Sequence, residues 1–248
     1  MGRFYDALDG GPLRLELRSI DGRSFALLRP IAYAATGYAE PFVVPAHLET
    51  FRTDMASVPW VFTWLVPRSG RFLPAAVLHD ALVVPGAYLG PSIPRPEADR
   101  LFRVAMADLG TGRIRSWLMW AAVTMATMWD TGRPRWYWRG AVIGLIGVVT
   151  VLGILATLDL FDVWNHLPWM GQRSLGAELV GGAVGAVVVP AVLALSWGRF
   201  APAGIITGVA LAFLVHVTLA IAAIYTLYWL LERAVSGRQV RRGPPFAR

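Results

Sequence analysis

The sequence predicts a soluble α+β domain, a small antiparallel β-sheet with antiparallel helices, followed by an all-α transmembrane region of three helices. Three observations carry that prediction. The 248 residues are 56% hydrophobic and only 16% charged, with a mean hydropathy of +0.51, too apolar for a disordered chain or for one water-soluble globule. Three long stretches after residue 139 are almost free of charge. Before them, segments alternating with a period of two give way to segments with a helical period, the order expected of a small sheet followed by helices.

The first ten residues, MGRFYDALDG, contain no apolar core after Arg3 and do not read as a signal peptide. Leu13, Leu15 and Leu17 alternate with polar residues, Asp21-Gly22 supplies a turn, and Phe25 and Leu27 resume the alternation up to Pro30, which reads as a β-hairpin. A further short strand is expected over Pro41 to Val44. Helices are expected over Phe72 to Val84, over Arg95 to Leu109 after the breaker-rich VPGAYLGPSIPRP, and over Ile114 to Trp129, the last apolar enough to lie beside a membrane. The soluble domain therefore occupies residues 1–131. Residues 132–139 form a basic, aromatic interfacial linker in which Trp136, Tyr137 and Trp138 stand between Arg133, Arg135 and Arg139.

Spanning helices are expected over 140–161, 179–197 and 203–231, each able to cover a bilayer core of about 30 Å. The first carries one charge, Asp159, near its end; the second contains Pro190; the third has His216 near its centre. The last two are joined by GRFAP alone, which predicts a tight antiparallel hairpin. Gly140 and Gly144, Gly181 and Gly185, and Gly204 and Gly208 are small-xxx-small pairs that allow close helix approach, within a protomer or in a homo-oligomer. His216 is open to two readings, a neutral imidazole hydrogen-bonded inside the bundle or a proton or metal group. The tail 232–248 is basic.

An integral protein of a bacterial inner membrane is expected. Its orientation is weakly determined, because three spans place the basic flank 133–139 and the basic tail on opposite sides. Counting Arg173 with the tail slightly favours an outside N-terminal domain, against the difficulty of exporting it without a signal sequence. The chain has no cysteine, which excludes disulfides, thiolate nucleophiles and cysteine metal sites. All 23 basic residues are arginine, which excludes lysine chemistry. The net charge of +7 is spread along the chain, which favours an anionic lipid bilayer as partner over nucleic acid.

Chemistry concentrates before residue 131. His79 and Asp80 fall on the strongly apolar LPAAVLHDAL, where ionisable groups are costly to bury without partners. Asp99 lies near the start of the following helix, so two antiparallel helices would place it against His79, leaving the other ring nitrogen free. That is a base with its orienting carboxylate. Asp80, about 100° further around the helix, and Asp54, on the loop FRTDMASVP, could serve a cation through oxygen ligands, which suits Ca2+ better than zinc. The competing reading is a buried His79–Asp99 pair that only orders two helices, with Asp54 capping a turn and Asp80 solvated. His47, beside an expected strand end, reads as a solvated loop residue.

Three motifs in order, FRTDMASVP, AAVLHD and ADRLFRVAM, resemble those of the bacterial and phage family known as domain of unknown function 1353, over roughly residues 10–131. The resemblance implies a phage- or prophage-linked domain without an assigned activity. More distantly, the order of an Asp-bearing loop, a helix with a His-Asp pair and a helix with a further Asp and Phe is similar to prokaryotic phospholipase A2. That similarity implies His79 as the base activating water, Asp99 as its partner, and Asp54 and Asp80 as calcium ligands. The chain departs from it in having no cysteines, Val83 where a tyrosine is expected, and Met55 where the calcium loop offers glycine; Tyr88 is the candidate replacement for the tyrosine. The functional expectation is a membrane-anchored, metal-assisted lipid or ester hydrolase with a phospholipid substrate. The alternative is a membrane-anchored interaction or scaffold protein of phage or envelope origin, assembled through its glycine patches.

Overall fold

The structure is a computed structural model that describes residues 2–21, 24–54 and 69–236. Among these residues it is an α+β fold followed by a region of long apolar helices, and it divides into two compact units, one holding the described residues up to Thr127 and the other those from Met128.

In the first unit, β1 (Arg3–Asp6), β4 (Ile31–Ala34) and β5 (Phe42–Val44) form an antiparallel sheet in the order β1-β4-β5, with Phe4 opposite Tyr33 and Ile31 opposite Val44. The hairpin β2 (Leu17–Ser19) and β3 (Phe25–Leu27) pairs Leu17 with Leu27, across the segment where the alternation placed a turn. The sheet strands β1 and β4 were not legible as a pair, because each is four residues long and their pairing depends on partners far apart in sequence.

Helix α1 (Leu73–Leu82) begins with Pro74 in its first turn, where a missing N–H costs nothing. Its Ala75, Ala76, Val77, Leu78, Ala81 and Leu82 are all buried, so it is a core helix rather than an amphipathic surface one. Helix α2 (Arg95–Asp108) likewise carries Pro96 in its first turn and buries Ala98, Leu101, Phe102, Ala105 and Met106. It stops at Gly110, whose φ of +74° is opened by the lack of a Cβ. There the Gly110 N–H donates to Ala107 O at 2.9 Å and the Thr111 N–H to Met106 O at 2.9 Å, a Schellman ending. Helices α1 and α2 pack on each other, and α1 also meets β5. Helix α3 (Arg113–Thr131) buries Ser116, Met119, Thr124 and Thr127 at helical spacing and exposes Ile114 and Trp117.

The second unit contains three helices long and apolar enough to cross a membrane: α4 (Arg135–Leu160), α5 (Leu175–Leu195) and α6 (Ala201–Ser236). Helix α4 begins inside the segment expected to be an interfacial linker, since Pro134 precedes it and nothing in RWYWR breaks a helix. Helix α6 has 36 residues, about 54 Å at about 1.5 Å each, and outlasts a bilayer core of about 30 Å. A short 3-10 turn, Gly198–Phe200, joins α5 to α6. The glycines divide by use. A Cβ on Gly208 would come within 2.5 Å of Pro190 Cβ, and one on Gly181 within 1.8 Å of the Trp169 carbonyl oxygen, whereas Gly140 and Gly144 face open space. The close approach that small residues permit is thus spent inside this chain on α5 and α6. The connection after α4 is tied by Asp159, fully buried, whose carboxylate accepts the N–H groups of Leu167 and Gly171, each at 3.0 Å. His216 pairs with Thr157, three residues before the end of α4, so the middle of α6, where His216 stands, is level with the end of α4.

Candidate functional site

His79 is directed into the core because α1 is apolar around nearly its whole circumference; the residue is only 8% exposed. Its Nε2 lies 2.8 Å from Oδ1 of Asp99, which α2 buries to 1% exposure. An ionised carboxylate only accepts, so Nε2 carries the proton and Nδ1 is the acceptor nitrogen of the neutral ring. No hydrogen bond to Nδ1 comes from the described residues. The ring of Phe102, one turn beyond Asp99, lies 5.0 Å from the imidazole at 36° and limits its rotation. The second oxygen of Asp99, Oδ2, is buried without a hydrogen-bond partner among the described residues.

Asp80 faces a different neighbour, as its offset around the helix requires. The Thr53 hydroxyl donates to Asp80 Oδ2, and Thr53 is itself fixed to β3, donating its N–H to Phe25 O at 3.0 Å and accepting from Phe25 N–H at 2.8 Å. Burial pushes the Asp80 carboxyl up to about 6; the Thr53 hydrogen bond opposes that rise, and the negative charge of Asp54 adds to it. Asp54 therefore acts on Asp80 through its charge, while His79 and Asp99 are joined by a direct bond. The structure brings the four sequence-predicted residues into these two linked pairs.

Among the described residues no group of three or more His, Cys, Asp or Glu side chains is arranged to hold a metal ion. What is present beside Asp80 is a second carboxylate and a hydroxyl, all oxygen. Such a donor set fits a hard cation whose shell is completed by carbonyls or water, and does not fit zinc. The negative charge of Asp54, which raises the Asp80 carboxyl, is the electrostatic condition a cation relieves. Met55, Ser57 and Pro59, which follow Asp54, lie outside the described residues.

Tyr88 does not replace the tyrosine expected near Val83. Its hydroxyl donates to Pro91 O and accepts from Ile93 N–H, both at 3.3 Å, and so closes its own loop. The signal for the dyad was a pair of ionisable residues on an apolar helix; nothing local marked its supports. Tyr38 donates to Glu97 Oε1 at 2.6 Å, and Glu97 receives Arg100 at 2.7 and 2.6 Å, which ties the start of α2 to the segment between β4 and β5. Arg100, and then Tyr38, hold the Glu97 carboxyl below its usual range against the opposing effect of burial. Tyr33 donates to Asp108 Oδ2 at 2.7 Å, which secures the other end of α2; burial and that bond raise the phenol.

Residues 25–123 match the family described as Protein of unknown function (DUF1353), a stretch that contains Asp54, His79, Asp80 and Asp99. No curated protein and no solved structure matches the chain.

Proposed function

We propose that the first unit is a hydrolase for lipid ester bonds, held at its substrate by the three long apolar helices, in the cytoplasmic membrane of a bacterium. The observation that carries this reading is the buried His79–Asp99 pair with the acceptor nitrogen of His79 left unbonded by the described residues. In the reaction, Nδ1 takes a proton from water as the water oxygen attacks the ester carbonyl, and Asp99 keeps the ring oriented and stabilises the imidazolium that forms. The proton then passes from Nδ1 to the leaving alkoxide as the acyl–oxygen bond breaks, giving a fatty acid and an alcohol. Asp80 and Asp54 would hold Ca2+, which when bound polarises the carbonyl and neutralises the developing oxyanion. Thr53 positions the Asp80 carboxylate for that role. Fixing the domain to a bilayer removes the diffusional search for a lipid and raises the effective substrate concentration.

The test is fatty acid release from phospholipid vesicles by the detergent-purified full chain, with calcium or with a chelator. Release by wild type with calcium, lost in His79→Ala while the protein remains folded, supports the reading. The burial of the imidazole supports a second one, a structural pair in a membrane-anchored scaffold. Absence of release from wild type with Ca2+, Mg2+ or Mn2+ across neutral, anionic and zwitterionic lipids favours that scaffold.

A further inference from the structure

The second unit holds a cleft of about 510 Å3 among α4, α5 and α6, within the roughly 300–1,000 Å3 typical of small-molecule sites. Its lining is polar at one end. Thr157, Glu178 and His216 line it, and the first two sit in the last turns of α4 and the first turn of α5, beside the connection that Asp159 ties. Toward the other end the walls are Val149, Leu152, Val189 and Pro190. From Thr157 back to Val149 is about 12 Å along α4, and from Glu178 on to Val189 about 16 Å along α5, at the helical rise. The cleft is therefore amphipathic along its length.

The hydrogen bonds define what the polar end can receive. Thr157 donates its single hydroxyl proton to Gly153 O at 2.8 Å, so its oxygen accepts from His216 Nε2–H. The neutral imidazole then presents Nδ1 as an acceptor. Glu178, nearly buried, accepts the Arg173 N–H at 3.2 Å through Oε1 and adds further acceptor oxygen. The His216 acceptor nitrogen and the Glu178 oxygens at this end, with the Trp169 indole N–H also in the lining, select a head that can donate as well as accept a hydrogen bond, as a hydroxyl does, and disfavour a carboxylate, which donates to neither.

We propose that this cleft binds a single-chain amphiphile with a hydroxyl head, its chain lying toward Val149 and Val189 and its head at His216 and Glu178. The site stands independently of the hydrolase reading, since it uses none of the residues of the first unit.

The probe is a diazirine-bearing long-chain alcohol added to the full chain in liposomes, beside its methyl ether, which has the same chain and no donor, and the matching fatty acid. Labelled positions are read by peptide mass spectrometry. The alcohol should label cleft residues such as Leu152 and Val189 roughly threefold to tenfold more than the ether, the effect of one hydrogen bond, and the fatty acid should label them less than the alcohol. Ala186→Leu fills the cleft and should suppress labelling by all three; Ala183→Leu, also in the lining, serves if the first variant does not insert. His216→Leu should reduce the alcohol to the level of the ether and leave the ether unchanged. Equal labelling by alcohol and ether in wild type, label spread evenly over the three helices, or cleft labelling untouched in a folded filling variant would each overturn the proposal.

Discussion

Replacing Asp99 separates the structural from the chemical role of the dyad, because two substitutions at this position remove different things. Asp99→Ala leaves the Nε2–H of a nearly buried imidazole without its acceptor at 2.8 Å, which costs about 1–3 kcal/mol. It also removes Oδ2, a buried acceptor with no partner among the described residues, so the lower half of that range is expected. At about 2–4 °C per kcal/mol for a chain of this size, the first unit should melt roughly 2–8 °C lower. Asp99→Asn keeps an acceptor oxygen for Nε2–H and should cost under about 1 kcal/mol. It cannot stabilise an imidazolium, so lipid hydrolysis should fall by about a hundredfold or more. The assays are thermal unfolding by near-UV circular dichroism in detergent and fatty acid release from vesicles on the same preparations. A wild-type melting temperature for Asp99→Ala would refute the buried bond, and wild-type release by a folded Asp99→Asn would refute the dyad.

Asp80 binds a proton more readily in the folded chain, about 6 against 3.8 for the ordinary carboxyl, so the folded state holds more protons between those values. Stability measured in chelator should fall as pH rises from about 4 to about 6, by on the order of 3 kcal/mol, and Asp80→Asn should flatten that slope; a slope of opposite sign would count against the burial of this group. Above pH 6 calcium no longer competes with the proton, so its affinity by titration calorimetry should rise between pH 5 and 7 and be lost in Asp80→Asn. Tyr33→Phe removes the 2.7 Å bond to Asp108 and should lower stability by about 1 kcal/mol, read as a shift in the denaturant midpoint with an unchanged slope. Gly181→Ala places a Cβ 1.8 Å from a backbone oxygen, while Gly140→Ala meets nothing; the half-life of the detergent-solubilised fold at elevated temperature should shorten for the first and stay unchanged for the second.

What the sequence determined by itself is what local pattern can encode. Charge-free stretches of bilayer length announce α4 to α6, the alternation through Leu17 and then Phe25 and Leu27 announces the hairpin, and proline in the first turn opens α1 and α2, with Gly110 closing α2. The pairing of His79 with Asp99 was legible for a similar reason: ionisable groups on apolar helices must find each other. Only the tertiary structure decided the partners reached across distance. Thr53 meets Asp80 because a β-bridge to Phe25 carries it there, Tyr38 reaches Glu97 from between two strands, and Tyr88 turns to its own loop instead of the dyad. It also set the middle of α6, where His216 stands, level with the end of α4 at Thr157, since the vertical offset between packed helices depends on their loops and on glycine contacts. Periodicity along one helix carries no information about that offset, which is set by the side chains of its neighbours.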